Sequence, residues 1–264
     1  MAKLWFAALA VVLMAVPAAA QEVVDVELVL AADGSGSIDD DELRLQRQGY
    51  AEAVMSAEVQ NAIASGIHGR VAIAYVEWGG PASQHTIVDW TIVEDAASAE
   101  RFGSALVAAP RAAYGYNSIS AAIDYSVHKI ETNDIQSLRR VIDVSGDGPN
   151  IGGRPVTAAR DEAVARGIVI NALLIDRPGG MSLAMDGPSL KRHYERDVTG
   201  GPGAFVVVAD GTTTFADAVR RKMILEIASD EAGPPTRHSA TEARNAKSLT
   251  LLRSPANSGR RGDH

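Results

Sequence analysis

Residues Val24 to Ser37 read VDVELVLAADGSGS, a β-branched and apolar run that stops at an acid and breaks into alternating glycine and serine. The run from Val24 to Ala31 predicts a strand, and Asp33-Gly34-Ser35-Gly36-Ser37 follows it directly. Three oxygen-bearing side chains, Asp33, Ser35 and Ser37, stand at alternate positions in a turn loosened by Gly34 and Gly36. They can converge on one point, as a small hard cation requires. The same residues are also common turn formers, so the spacing alone leaves a plain turn open. Asp39, with Glu42 three residues later, is a capping-box pattern, and Asp40 and Asp41 suit the positive end of the helix that continues through Tyr50 and Val54.

Outward from this stretch, short strand-like runs alternate with amphipathic segments, the pattern of βαβ units around a mostly parallel sheet. Val71–Trp78 and Thr86–Val93 are strands joined through Gly79, Gly80 and Pro81. That link is too short for a crossover helix, so the pair is an antiparallel hairpin that places one reversed strand at a sheet edge. A helix over Ala96–Ala108 leads through the loop Pro110–Tyr116 to a second helix, whose apolar residues Ile119, Ala122, Ile123, Val127 and Ile130 share one face. The strand Arg140–Val144 runs into Ser145-Gly146-Asp147-Gly148-Pro149, a loop by composition. A helix Val156–Arg166 stopped by Gly167, a strand Ile168–Ile175, a helix Leu190–Val198, a strand Ala204–Val208 and a helix Thr214–Ala228 complete the pattern. The expected fold is α/β: a doubly wound, mostly parallel six-stranded sheet of order 3-2-1-4-5-6 with one antiparallel edge strand, flanked by helices. In that order the strands before Asp33 and before Asp147 are neighbours at the switch point, beyond whose carboxyl ends ligands bind.

The ends of the chain differ from its body. Lys3, the apolar run Leu4–Val16 and Ala18-Ala19-Ala20 read as a signal peptide over residues 1–20, cleaved before Gln21 and too short for a spanning helix. A mature chain without a stable membrane anchor, periplasmic or secreted, is expected. Residues 21–229 form the expected domain. After Asp230 apolar periodicity stops, and residues 230–264 read as a disordered tail; Arg261-Gly262-Asp263 within it is a three-residue match attributable to chance. With 264 residues, 46% of them hydrophobic, the chain has enough for one well-filled core. Its formal charge of -8, with no Lys/Arg cluster in the body, excludes a basic nucleic-acid-binding stripe. It has no cysteine, so neither a disulfide nor thiolate chemistry is available.

The chain from Val24 to Ala228 resembles the von Willebrand factor A superfamily, whose metal-ion-dependent adhesion site joins Asp-x-Ser-x-Ser, a Thr from a later loop and a further Asp. Asp33, Ser35, Ser37 and Asp147 match that motif residue by residue, and Val144-Ser145-Gly146-Asp147-Gly148-Pro149-Asn150 is similar to a bacterial exported branch of uncharacterised function. Where the motif has Thr this chain has Asn117, so its amide oxygen or the Ser118 hydroxyl is the implied replacement. The resemblance implies a non-enzymatic, adhesion-type binding domain that holds Mg2+ or Mn2+, with Ca2+ less suited to a site of few carboxylates. It also implies a protein partner whose Asp or Glu completes the metal's coordination. Asp143 and Asp124 read as structural, and Glu77 and Trp78 read as packing residues that can also line the site.

Other functions are weighed on the same residues. A dinucleotide fingerprint needs a third glycine where Asp39 stands. A phosphoryl-transfer enzyme with an aspartyl nucleophile wants a second Asp where Ser35 stands. Ser145 lacks the glycine of a nucleophile elbow two residues before it. No HExxH pair occurs among the six histidines. A metal-dependent hydrolase is thus the weaker alternative, and a scaffolding domain whose metal site has decayed is kept open by Asn117. Export predicts a mature N-terminus of Gln21-Glu22-Val23 on N-terminal sequencing of the secreted fraction; an intact Met1 chain recovered from membranes contradicts it.

Overall fold

In the computed structural model, which describes residues 21–175, 190–209 and 214–228, strand β1 (Glu22–Asp33) is hydrogen-bonded along both edges. Parallel β2 (Val71–Trp78) lies on one side and parallel β4 (Ile135–Gly146) on the other. The full order is β3-β2-β1-β4-β5-β6, with β3 (Gln84–Val93) the antiparallel edge and β5 (Ile168–Ile175) and β6 (Val206–Ala209) continuing in parallel. This is the doubly wound sheet expected from the sequence. The expected signal peptide, the tail beyond Asp230 and Arg261-Gly262-Asp263 lie outside the described residues.

The period-two alternation of β1 splits the core into two layers. Val26, Leu28, Leu30 and Ala32 face helices α1 (Asp40–Met55), α3 (Ala96–Ala108) and α7 (Phe215–Ala228), against Tyr50, Phe102 and Met223. Val29 and Ala31 face α4 (Ile119–Glu131) and α5 (Val156–Ala165), against Ile119, Ile123 and Ala159. The capping box of α1 forms: the Asp39 side chain accepts from Asp41 N and Glu42 N, and Glu42 accepts from Asp39 N. Gly167 ends α5 at φ 75, a conformation that favours glycine.

Three elements depart from the sequence reading. A short helix α2 (Ala57–Ala64) follows α1, separated by Ser56, whose side chain accepts from Val59 N. It buries only Val59 and Ile63, too few apolar positions to stand out as a periodic run. Strand β4 begins at Ile135 rather than Arg140. Residues 135–139 pair with β1 alone, and β5 joins only from Arg140. One open edge tolerates the polar residues that hid the strand. The helix expected over Leu190–Val198 is α-helical only for Leu190–His193 (α6), then widens into a π-helical turn, Tyr194–Val198, in which Thr199 N donates to Tyr194 O at 2.9 Å.

An ionic cluster lies inside the core between β4 and α7. Lys222 is buried with Asp143 at 2.6 Å and Glu226 on its next turn, while Asn171 donates to Glu226 at 3.1 Å. Asp143 is therefore structural, as expected. One cation faces two carboxylates. Burial raises both carboxyls, with Lys222 opposing, and the Glu226 carboxyl is pushed up to about 7. A carboxyl whose folded pKa lies above its unfolded value holds its proton more tightly in the folded state, so stability falls as pH rises from about 4.5 through 7. The variant Glu226→Gln is expected to gain about 1–3 kcal/mol on wild type between pH 5 and pH 8 in denaturant titrations. A constant difference across that range contradicts the assignment.

Candidate metal centre

The register of β1 on β4 sets Ala32 beside Ser145, so both strands end at one place. There the chain turns sharply. Asp33 is fully buried, and its Oδ1 accepts from Ser35 N at 2.8 Å. Gly34 N donates to Trp78 O at 2.8 Å, tying the turn to the end of β2. A Cβ on Gly34 would stand 3.1 Å from that of Ala113, which leaves little room for any other residue. Ser35 Oγ and Ser37 Oγ are 3.1 Å apart. Ser37 Oγ donates to Asp147 Oδ1 at 3.4 Å, across 110 residues of sequence. Four of the six candidate ligands are thus drawn into one oxygen-lined cluster.

The other two arrive on the α3–α4 loop, through the backbone. Gly36 N donates to Gly115 O at 2.9 Å, and Asn117 O accepts from Ile151 N and Gly152 N at 2.8 and 3.0 Å, in the loop that follows Asp147. The side chains differ. Ser118 spends its hydroxyl proton on Gly152 O at 3.0 Å. The Asn117 amide is buried, its Nδ2 has no hydrogen-bond partner, and no hydrogen bond joins it to Asp33, Ser35, Ser37 or Asp147. Exchanging amide nitrogen and oxygen by rotation puts a carbonyl oxygen at that buried position, a neutral donor of the kind a hard cation accepts.

Three side chains unremarkable in the sequence hold these loops. Arg47, buried on α1, donates to Glu77 at 2.7 Å and also to the carbonyls of Ala109 and Pro110, the latter at 2.9 Å. Glu77 is therefore a buried ion-pair partner, and Trp78, whose Nε1 donates to Ala31 O at 2.9 Å, is a packing residue. Arg111 reaches back to Gly34 O, Ile38 O and Asp40. Tyr194, at the start of the π-helical turn, donates to Gly148 O at 2.9 Å. Its hydroxyl is held well above the usual tyrosine range by burial, and further by the charges of Asp33 and Asp147. Long-range partnerships of this kind leave no local pattern to read. Asp124 is ion-paired with Arg154 at 2.6 Å, the structural role expected of it.

Among the described residues no group of three or more His, Cys, Asp or Glu side chains is placed to hold a metal ion. A thiolate or imidazole site is therefore unsupported there. Two carboxylates, hydroxyls and an amide fit a hard, oxygen-seeking dication that keeps some of its waters, as Mg2+ does.

The fold is von Willebrand factor A-like. The chain belongs to the family described as protein of unknown function (DUF1194), whose sequence profile matches residues 22–231. Among functionally curated proteins no sequence matches it. Its fold is shared with the pilus adhesin SpaC of Lactobacillus rhamnosus GG in the open conformation (17% identity, TM-score 0.53, 79% of this chain and 30% of that one). A von Willebrand factor type A protein from Catenulispora acidiphila is similar (14%, 0.53, 78% and 42%). So is proximal thread matrix protein 1 from the mussel byssus, solved with a zinc-occupied MIDAS motif (13%, 0.52, 77% and 46%). This chain spans less than half the length of these three proteins.

Tyr194→Phe removes one hydrogen bond from the Asp147 loop without emptying the core. It leaves the buried Gly148 carbonyl without that donor and is expected to lower stability by about 1–2 kcal/mol in denaturant titrations. Unchanged stability would show that the Tyr194 hydroxyl does not hold the loop.

Proposed function

We propose that the chain is an exported, divalent-metal-dependent binding domain of adhesion type that recognises an acidic group of a protein partner. Asp33, Ser35, Ser37 and Asp147 would hold the cation, with Asn117 in place of the motif's threonine and Ser118 as the nearest substitute. The observation that carries this reading is the run of oxygens from Ser35 Oγ to Ser37 Oγ to Asp147 Oδ1, assembled from two loops by the pairing of β1 with β4. Mg2+, or Mn2+, would supply a coordination position open to an incoming carboxylate.

A binding role without catalysis accords with the surroundings. Among the described residues no hydrogen bond joins Ser35 or Ser37 to a histidine, so neither hydroxyl has the adjacent imidazole base that would activate it. The solved structures of similar fold include an adhesin and a matrix protein. Among the described residues no helix is long and apolar enough to cross a membrane. The proposed organisation is a signal peptide at 1–20, the domain at 21–229 and a tail at 230–264, with the mature chain outside the cytoplasm. The second reading, a scaffold whose metal site has decayed, rests on the buried Asn117 amide with its unpaired Nδ2.

Calorimetric titration with Mg2+ and Mn2+ separates the two. Wild type is expected to bind and Asp33→Ala to lose at least about tenfold in affinity, ~1.4 kcal/mol. Asn117→Thr should tighten binding, since β-branched Thr is stiffer at its first torsion. Asn117→Ala should weaken it, and Ser118→Ala should have the smaller effect. Loss in Ser118→Ala with no change in Asn117→Ala would reassign the ligand, and equal binding in wild type and Asp33→Ala would remove the site.

A further inference from the structure

The stretch Asp147-Gly148-Pro149-Asn150 runs on past the acid of the candidate centre, and its last residue reaches a helix that begins on a different loop. Helix α4 has Ser118 at its N-cap, yet Ser118 gives no side-chain bond to the first turn. Its hydroxyl donates to Gly152 O at 3.0 Å instead. A cap residue ordinarily accepts from the second or third helical N–H, among the four that a helix leaves without partners. In α4 that acceptor comes from outside: Asn150 Oδ1 accepts from Ser120 N, the second N–H, at 2.9 Å. The amide has one orientation that serves, since Ser120 N is a donor and Asn150 Nδ2 donates to Arg154 O at 3.3 Å.

The cap bond is one part of a clasp. Asn117 O accepts from Ile151 N and Gly152 N, and the Ser118 and Ser120 hydroxyls both donate to Gly152 O, at 3.0 and 3.4 Å. Gly153, at φ 85, fits where no side chain would: a Cβ there would lie 2.7 Å from Ser118 Oγ and 2.6 Å from Ser120 Oγ. One residue beyond, Arg154 is ion-paired with Asp124 of α4 at 2.6 Å. Backbone, side chains and charge thus bind residues 150–154 to the start of α4 and to the residues just before it.

Asp147 stands three residues before Asn150, and Asn117 three residues before Ser120. The bond between Asn150 and Ser120 therefore joins the two loops directly behind those two candidate ligands. A shift of either loop moves one of them against the other, and a small dication such as Mg2+ tolerates little departure from octahedral geometry.

Granting the metal-binding reading above, we infer that Asn150 is a positioning residue of that centre, one that caps α4 from the neighbouring loop and so fixes Asn117 against Asp147. It acts through the backbone and makes no contact with the cation itself.

Calorimetric titration of the full chain with Mg2+, paired with thermal melts, tests this. Asn150→Ala is expected to weaken Mg2+ binding about fivefold and to lower the melting temperature by about 2–4 °C. Asn150→Asp keeps an acceptor for Ser120 N and should return both quantities at least to their wild-type values. Gly153→Ala, which wedges the clasp and leaves Asn150 in place, should also weaken Mg2+ binding. Asp95→Ala sets the scale for a cap remote from the centre: Asp95 Oδ1 accepts from Ser98 N of α3 at 2.7 Å, and its loss should lower the melting temperature similarly with Mg2+ affinity unchanged. If Asn150→Ala melts lower yet binds Mg2+ as wild type does, Asn150 is a helix cap alone; the inference is overturned and the metal centre stands. Equal weakening in Asn150→Ala and Asn150→Asp overturns it too, and so does unchanged Mg2+ affinity in Gly153→Ala. Absence of Mg2+ binding in wild type overturns both the inference and the reading beneath it.

Discussion

The parallel pairing of β1 with β4 is the constraint on which the rest of the molecule depends. It sets Ala31 beside Val144 and Ala32 beside Ser145, so that the turn at Asp33 and the loop at Asp147 begin level with each other. A slip of one residue would turn every side chain of β1 to the opposite face and exchange the contents of the two core layers. Both layers are filled with fully buried residues, so that slip is heavily penalised. The core thereby holds the oxygen cluster in register without needing any bond between its own members.

Loops beyond the strand ends still need donors for their carbonyls, and two arginines, Arg47 buried and Arg111 half-buried, meet that need. Arg47 serves Ala109 and Pro110 while neutralised by Glu77; Arg111 serves Gly34 and Ile38 while paired with Asp40. Guanidinium offers five donors in a fixed fork, so one side chain can close a loop and satisfy a carboxylate together. Removing one partner of a buried pair such as Arg47–Glu77 costs about 3–5 kcal/mol, because the other charge stays behind uncompensated. The loop bearing Asn117 is thus held against the centre by the same bonds that stabilise the fold.

The local parts of this design were legible in the sequence. Sheet order, the antiparallel hairpin, the Asp39 cap and the grouping of Asp33, Ser35, Ser37 and Asp147 all follow from short-range patterns and from topology. What escaped reading has a common cause. Helix α2 buries two apolar residues, and the first part of β4 is paired on one side only, so neither carries a strong periodic signal. Arg47, Arg111 and Tyr194 act on partners tens of residues away. Lys222 sits fully buried against Asp143, a partner 79 positions earlier in the chain. Charge partners that meet only through the fold leave no trace in spacing.

The acidic residues inside the core and those at the ends of β1 and β4 are arranged differently. In the core, Asp143 and Glu226 are supplied with their own cation, Lys222, and closed from water; they have nothing to offer a ligand. Where β1 and β4 end, Asp33 and Asp147 stand among hydroxyls and backbone N–H groups, and the pKa of the Tyr194 hydroxyl, raised first by burial, is raised further by their charges. A cation held there as proposed, by two carboxylates and a few dipoles, would keep part of its hydration and bind loosely. Linkage would then make partner and cation mutually dependent: whatever tightening an added carboxylate brought to the metal, the metal would bring equally to the carboxylate. Under that proposal the strand ends would take their cation from outside, whereas the core cluster carries its own, Lys222, between two carboxylates.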